Sequence, residues 1–498
     1  MEIKHKNFYI YRALEMVPGI LIWLTFILAF GLSIFKPLYA IYFIIVFDLY
    51  WFTRIFYMMI HLFISWKRYH QHKKIDWLTE LKKVKNKNWQ EYQHLIFLPT
   101  YKEPWQVVDQ TFKNLSQVKF PTSQLTIILA GEERDKENFL QVAELAKKKY
   151  QGQFADLIIT LHPKDLLEEV PGKGSNLNYS GYQVKKYVDD KGWDYDKIIV
   201  STFDVDTQVE KQYFSYLTYQ FLTTPNPTQY SYQPLAFYHN NIWESNFITR
   251  VVANSTTFWL LTDMARSERL FTFSSHSMSW RALVNVGFWQ KDIVTEDSRI
   301  FLQCFIYYNG DYKVKPMYTS VSMNTVYMGK FWKSIINQYK QMRRWAWGVE
   351  HFPYMVWNFM KKKQIPFFKK LRYVWNQTEG VYSWATAPII IFVMGRLPLM
   401  MADKTVQSTY IAQQAPYILQ TLMGVGMIGL IFTAIFATIL LPVKPVKYHW
   451  TKYIIMVVQW LFFPISMILF GSIPATEAQT RLMLGGKFRL GFWVTEKK

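Results

Sequence analysis

"IIVSTFDVDTQVE" (198–210) decides how the chain is read. Its apolar, β-branched opening reads as a buried strand. Asp204 and Asp206 follow it. In an extended chain, residues i and i+2 face the same side. Open α/β sheets bind ligands at the C-terminal ends of their strands. Two carboxylates placed there can hold a divalent cation, since Mg²⁺ takes one or two protein carboxylates plus substrate phosphates. Taken alone, the pair is explained equally well as two solvated turn acids.

Three further runs, "HLIFLPT" (94–100), "LTIILAG" (125–131) and "ADLIITL" (155–161), also read as short buried strands. Between the runs, "KENFLQVAELAKKKY" (136–150) and "LNYSGYQVKKYV" (177–188) have helical spacing. Apolar strands alternating with helices indicate a doubly wound α/β sheet. This polar block, about 66–350, contains no long apolar run.

The rest of the chain is different. Five segments, roughly 16–35, 38–58, 380–401, 417–442 and 452–474, each approach the ~20 residues that span a bilayer. The chain is 50% hydrophobic and 18% aromatic with a formal net charge of +21, yet its mean hydropathy is near zero. That balance fits a protein part membrane and part soluble, and excludes a pure transporter. Cys304 is the only cysteine, which excludes an intramolecular disulfide framework. The basic start carries no small-residue cleavage site, so the first apolar stretch reads as a retained anchor.

Cations orient the chain. Lys67, Arg68, Lys73 and Lys74 follow the second apolar segment, and "KKKQIPFFKKLR" (361–372) precedes the third. The positive-inside rule therefore puts the α/β block in the cytoplasm. The same clustering beside spans disfavours nucleic acid, because lipid orientation accounts for the charge. The expected organisation is N-terminal membrane helices at 1–65, a cytoplasmic domain at 66–350, an interfacial amphipathic region at 351–378, C-terminal membrane helices at 379–474 and a basic tail at 475–498. Five spans would leave that basic tail outside, so one segment is expected to be re-entrant or miscounted. Asp48 and Arg54 in the second segment read as a mutual pair, or as an arginine snorkelling to the cytoplasmic face.

Four other stretches carry chemistry-bearing residues. In "KDIVTEDSRIFLQCF" (291–305), Asp297 is a candidate general base with Glu296 beside it. Acids in the first turn after an N-capping Thr295 explain the same letters. In "PGKGSNLNYS" (171–180), a turn leads into a helix whose N-terminus, with Lys173, suits an anion. "LIFLPTYKE" (95–103) puts Pro99, Tyr101 and Glu103 at a strand's C-terminal edge. In "QMRRWAWG" (341–348), Gln341, Arg344 and Trp345 share one helical face. Arg343 and Trp347 point elsewhere, towards an expected headgroup contact.

Asp-x-Asp, Thr-Glu-Asp and Gln-x-x-Arg-Trp, in that order and flanked by apolar segments, resemble the processive family 2 glycosyltransferases: cellulose, chitin and hyaluronan synthases. The resemblance runs from about residue 92 to 350. It implies a GT-A type, Rossmann-like α/β domain inserted between N-terminal and C-terminal transmembrane helices. It implies Mg²⁺ or Mn²⁺ on Asp204 and Asp206, with the donor's nucleotide and diphosphate near Pro99, Tyr101, Glu103, Lys173 and Asp204. Asp297 would deprotonate the acceptor hydroxyl, and Gln341, Arg344 and Trp345 would floor the acceptor site and steady the leaving diphosphate. "FTFSSHSMSWR" (271–281) stands where that family has an acceptor-contacting loop. One departure is "ILAGEERD" (128–135), where the family has an Asp-Asp pair, so Glu132, Glu133 or Asp135 is left to contact the nucleoside.

The implied partners are a UDP- or GDP-linked sugar, a glycan or lipid-linked acceptor, and membrane lipids. The implied location is the plasma (inner) membrane, multi-pass. The leading expectation is an inverting transferase extending a polysaccharide. A single-sugar transferase acting on a lipid carrier is the alternative enzyme. A transporter or channel with a cytoplasmic regulatory domain is the alternative from another class.

Overall fold

The computed structural model describes residues 5–85 and 87–491. Lys497 and Lys498 of the basic tail lie outside the described residues.

Eight strands form one mixed sheet in the order β3-β2-β1-β4-β7-β6-β8-β5. They are β1 (Gln93–Pro99), β2 (Leu125–Glu132), β3 (Asp156–His162), β4 (Ile198–Thr202), β5 (Gln208–Val209), β6 (Tyr230–Phe237), β7 (His276–Ser279) and β8 (Lys313–Ser322). The four apolar runs of the sequence are β1 to β4, and they lie side by side and parallel. β2 and β4 are buried along their whole length, because helices cover both faces. β7 joins antiparallel to β4 and leads into the polar half, β6-β8-β5. That half was not read from the sequence: strands such as "HSMS" have no apolar run.

Helix Lys136–Tyr150 shows why the helical stretches fold where they do. Phe139, Val142, Ala143, Ala146 and Tyr150 are buried on one stripe. Lys147, Lys148 and Lys149 stand in its last turn, where cations favour the macrodipole. Helix Lys173–Asp190 follows Gly172, whose φ of 156° only glycine adopts readily. A Cβ on Gly174 would lie 2.9 Å from the Gln290 carbonyl and 3.2 Å from the Glu296 Cβ, so glycine lets this helix abut the Thr-Glu-Asp segment.

Among the described residues, four helices are long and apolar enough to cross a membrane: Asn7–Phe35, Pro37–Lys73, Tyr410–Ile439 and Thr451–Leu484, the last a composite of shorter helical turns. The expected segment at 380–401 is not one long helix. Helix Phe367–Ile389 passes into a π-helical turn at Ile390–Met394, and Arg396 precedes a short helix Leu397–Met401. The region 351–378 also divides. Helix His351–Lys361 buries His351, Phe352, Met355, Trp357 and Phe359 in the protein, whereas Phe367, Phe368, Leu371 and Trp375 are exposed beside Lys369, Lys370 and Arg372. Arg54 pairs with Glu379 at 3.0 Å, not with Asp48, and Arg269 of the α/β domain meets the same carboxylate at 2.7 Å. This joint ties the apolar helix Pro37–Lys73 to the α/β domain.

Candidate active site

The C-terminal edge of β4 opens onto an ion cluster. Asp204 and Asp206 sit in a tight turn after the strand, not on an extended chain, so they do not share one face by strand periodicity. The backbone N–H of Thr207 donates to the Asp204 carbonyl at 2.8 Å and closes the turn. Lys173 Nζ donates to Asp204 Oδ1 at 2.9 Å, and Ser274 Oγ donates to Asp204 Oδ2 at 2.7 Å. Asp206 is buried, and its Oδ2 accepts from the Asn324 backbone N–H at 3.0 Å.

Lys173 is the hub. It also donates to Asp297 at 2.9 and 2.7 Å and lies 3.6 Å from Glu296. One ammonium thus joins the Asp-x-Asp turn to the Thr-Glu-Asp turn, two motifs separated by nearly a hundred residues of sequence. The two adjacent acids differ sharply in environment. Asp297 keeps 21% of its side chain exposed, whereas Glu296 keeps 4%. Burial, reinforced by the charge of Asp297, pushes the Glu296 carboxyl up to about 8, against the pull of Lys173 and Arg344. Glu296 is therefore mainly neutral at pH 7, and Asp297 is the carboxylate presented to the cleft. Both acids occupy the first turn of helix Glu296–Tyr307, so the helix-start reading and the chemical reading both apply. Thr295 does not cap that helix through its hydroxyl, which instead donates to Glu350 Oε1 at 2.6 Å.

Helix Phe331–Ala346 brings in the Gln-x-x-Arg-Trp residues. Trp345 packs against Tyr238 and Phe273, with ring centroids 6.0 and 5.9 Å apart. The Arg344 charge bears on both Glu296 and Tyr238. Gln341 Oε1 accepts from Gln338 Nε2 at 3.1 Å. The two faces of the stretch are real, and the second one finds its partners within the protein. Arg343 pairs with Glu477 of the last apolar segment at 2.7 Å, and Trp347 is buried, donating to Glu350 at 3.0 Å. The expected headgroup contact fails because helices 351–361 and 473–484 cover that side.

The donor-side residues gather at the neighbouring edges of β1 and β2. Pro99 pairs with Ala130, and the Asn176 amide ties helix Lys173–Asp190 to the Ala130 carbonyl at 2.8 Å. Glu103 turns back on its own loop and accepts from Thr100 Oγ1 at 2.9 Å and from the Tyr101 N–H. The Arg134 guanidinium lies 4.7 Å over the Tyr101 ring and donates from Nε to Glu132 at 2.9 Å. Of the three acids left open by the sequence, Glu133 accepts from Lys164 N–H at 3.0 Å and Asp135 from Lys102 N–H at 2.7 Å. Those two serve loop geometry. Glu132 alone is buried at the strand end, beside Tyr101 and Arg134.

The sequence profile of "Glycosyl transferase family group 2" matches residues 199–471, from β4 through most of the last apolar segment. That is more than half of the chain. The chain belongs to glycosyl transferase family group 2.

This family group 2 transferase has a mixed α/β domain with apolar helices on both sides of it. Among solved structures it is similar to the mannosyltransferase PcManGT from Pyrobaculum calidifontis in complex with GDP-Man and Mn²⁺. Identity is 12%, coverage is 78% of this chain and 99% of that one, and the TM-score is 0.43. It is also similar to S. aureus TarS 1–349 in complex with UDP-GlcNAc, at 10% identity, with 69% and 90% coverage and a TM-score of 0.37. No curated protein sequence matches the chain.

Two residues of the transferase's cleft escaped the sequence reading. Tyr238 is buried among the charges of Asp204, Asp206, Arg344 and Asp297, and burial first, then the two Asp-x-Asp charges, raises its phenol well above the usual range. Nothing in "AFYHNN" marks it. Ser274 had a weak signal, as part of the unusual Ser-Ser-His-Ser loop. Among the described residues, no group of three or more His, Cys, Asp or Glu side chains converges as a metal cage. The donor set still suits a hard divalent ion completed by phosphate oxygens. Asp204 is partly exposed at the sheet edge, and its carboxylate is already held by a cationic nitrogen where an ion's charge would stand.

Proposed function

We propose that this transferase is an integral-membrane, metal-dependent, inverting enzyme that moves a sugar from a UDP- or GDP-linked donor to a growing polysaccharide. The observation that carries the proposal is the single ion cluster of Lys173, Asp204 and Asp297 at the C-terminal edge of the sheet, with Trp345 and Tyr238 beside it. Tyr101, Glu132 and Arg134 take the nucleoside. Asp204 and Asp206 would hold Mg²⁺ or Mn²⁺, which when bound would neutralise charge on the donor diphosphate. Lys173 and Arg344 add positive charge where the leaving diphosphate gains negative charge. Asp297 takes the proton of the attacking acceptor hydroxyl. Glu296, held towards its neutral form by burial, adds little negative charge beside the donor. Trp345 offers a ring face to the acceptor sugar, and holding the two substrates in line lowers the barrier further.

The same reading places the α/β domain on the cytoplasmic side of the plasma (inner) membrane. Glu379 lies beside Arg54, whereas Leu399 packs near Ile41, Ala412 and Ala415. Residues 379–399 thus climb along helix Pro37–Lys73 by about 20 Å, from the 1.5 Å rise per residue over 13 residues of that helix. In this reading they form the third crossing despite the break. The last apolar segment starts at Lys447–Glu244 and Gln459–Arg250, and it ends where Arg12 donates to the Leu482 carbonyl. Both of its ends stay on the catalytic side. Four crossings return the C-terminus to the cytoplasm, in keeping with its basic charge.

Purified protein incubated with a panel of UDP- and GDP-sugars plus Mg²⁺ or Mn²⁺ tests the proposal. Released nucleoside diphosphate and product length are the readouts. A metal-dependent ladder of chain lengths is expected. A monoglycosylated lipid as sole product would replace polymer synthesis by transfer to a lipid carrier, and no turnover with any donor would overturn the enzyme reading.

A further inference from the structure

Arg250 is a buried cation with no carboxylate beside it. It stands in the first turn of helix Phe247–Met264 and is 2% exposed. Its Nε donates to Gln459 Oε1 at 2.8 Å, and its Nη1 is buried without a hydrogen-bond partner among the described residues. Burial alone draws the guanidinium down to about 10, because no acid acts on it. Two further positive contributions reach the same place. The N-terminal end of a helix carries partial positive charge. Lys452 lies within electrostatic range of Arg250 and is seven residues before Gln459, on the same helical face. Glu244, the acid nearby in sequence, is taken by Lys447 at 2.7 Å. A buried charge without a counter-ion is costly, and an anion would remove that cost.

The surroundings say what kind of anion. Ile454, Val458, Leu461 and Phe462, on the same short segment, are exposed. Lys444, Lys447 and Lys452 lie in or just before it. A buried, unpaired cation held by a segment that also carries lysines and exposed apolar side chains matches a phosphate attached to acyl chains.

We infer that Arg250 and Lys452, with Gln459 holding the guanidinium, form a site for the phosphate of an anionic membrane lipid. The site lies where the last apolar segment meets the catalytic domain, so its occupant pins the two together. The inference rests on the membrane reading of the apolar helices and not on the transfer chemistry.

The test uses the full chain, delipidated in detergent, with bound lipid counted by native mass spectrometry. Dioleoyl-phosphatidylglycerol, phosphatidylcholine and inorganic phosphate are the probes. One phosphatidylglycerol should be retained in preference to phosphatidylcholine, and inorganic phosphate should not displace it. Arg250→Gln and Lys452→Gln should each weaken retention about fivefold, the weight of one cation at an anionic surface. Arg250→Lys should weaken it as well, since the planar fork is lost, whereas Lys444→Gln should change it less than about twofold. Lys452 is only partly buried, so its variant keeps the test open if Arg250→Gln fails to fold. Equal retention of the two lipids, displacement by free phosphate, or equal losses in the Lys444 and Lys452 variants would overturn the site. None of these readouts depends on turnover, so failure of the proposed enzyme activity is told apart from failure of the lipid site.

Discussion

Replacing Glu296 with glutamine separates the roles of the two adjacent acids. Glu296 is 3% exposed, and burial followed by the charge of Asp297 raises its carboxyl from 4.5 to about 8. Below that value the neutral carboxyl prevails, and above it the ionised one. Glutamine is close in shape to the neutral form. Glu296→Gln should therefore keep kcat/KM within about threefold of wild type at pH 7. Above pH 8 the wild-type enzyme gains a second buried anion, 3.6 Å from Lys173 and next to Asp297. That charge repels the donor diphosphate and competes for the ammonium, so wild-type kcat/KM should fall about tenfold between pH 8 and pH 9 or slightly above. The variant should lack this limb. Stability follows the same sign: a carboxyl raised in the folded state contributes fully below its ordinary range, and that contribution is lost as pH rises through about 8. The wild-type melting temperature should thus decline between pH 7 and 9 more than that of the variant. Initial rates of nucleoside diphosphate release at sub-saturating donor, from pH 6.5 to about 9.5, together with melts at both ends, check this. A loss of about a hundredfold in Glu296→Gln at pH 7 would make Glu296 the proton acceptor and refute the division. An unchanged alkaline limb would remove its titration from the rate.

Asp297→Asn should retain donor binding and lose about 10² to 10⁴ in kcat, measured by calorimetry and by single-turnover transfer; full activity would dismiss it as the base. Arg344→Gln should cost far more transfer activity than Arg343→Gln, because Arg344 bears on the cleft while Arg343 pairs with Glu477. Arg343→Gln should instead lower the melting temperature, and Glu477→Gln should reproduce that shift; equal activity losses at 343 and 344 would contradict the geometry. Single cysteines at Gln407 and Lys487, with Cys304 replaced by serine, should label from opposite sides of sealed vesicles, Lys487 from the catalytic side. Labelling of both from one side would break the four-crossing arrangement.

The parallel half of the sheet was legible because β1, β2 and β4 are buried on both faces and so read as near-continuous apolar runs, and the half-buried edge strand β3 is apolar as well. β6, β7 and β8 were not. Their buried positions carry Ser231, Gln233, Ser277 and Thr319, polar groups satisfied by neighbouring side chains, as in the Ser201–Ser277 hydroxyl pair at 2.7 Å, or by the backbone, as where Gln233 Oε1 accepts from the Phe273 N–H at 2.7 Å. A strand whose inner face is polar leaves no hydropathy signature. The cluster itself was legible only in parts. The order of the motifs put Lys173, Asp204 and Asp297 in one site, but the one-ammonium bridge between the carboxylates is a fact of packing. It depends on Gly174, which brings the helix start within contact of Glu296. The periodicity argument for Asp204 and Asp206 was misplaced, since the strand ends at Thr202 and the pair belongs to a turn. Period-2 reasoning holds only where the ladder continues.

The span count was the hardest to read, for a reason that hydropathy cannot overcome. Residues 379–401 contain Arg396, Pro388 and Pro398, and the helix breaks there, yet the chain keeps ascending beside helices 7–35 and 37–73 through Ile390, Met394 and Leu399. Thr451–Leu484 passes every test of length and apolarity, yet it is held along its course by Arg250, Arg343 and Arg12. Composition records how much apolar surface a segment offers, not whether lipid or protein covers it. The deciding quantity is where its polar side chains find partners. Gln459, Glu477 and the Leu482 carbonyl all find arginines from the catalytic domain or from the start of the first helix. In the proposed arrangement those three groups lie on one side of the bilayer, so this segment would not cross it and the basic tail would need no re-entrant exception.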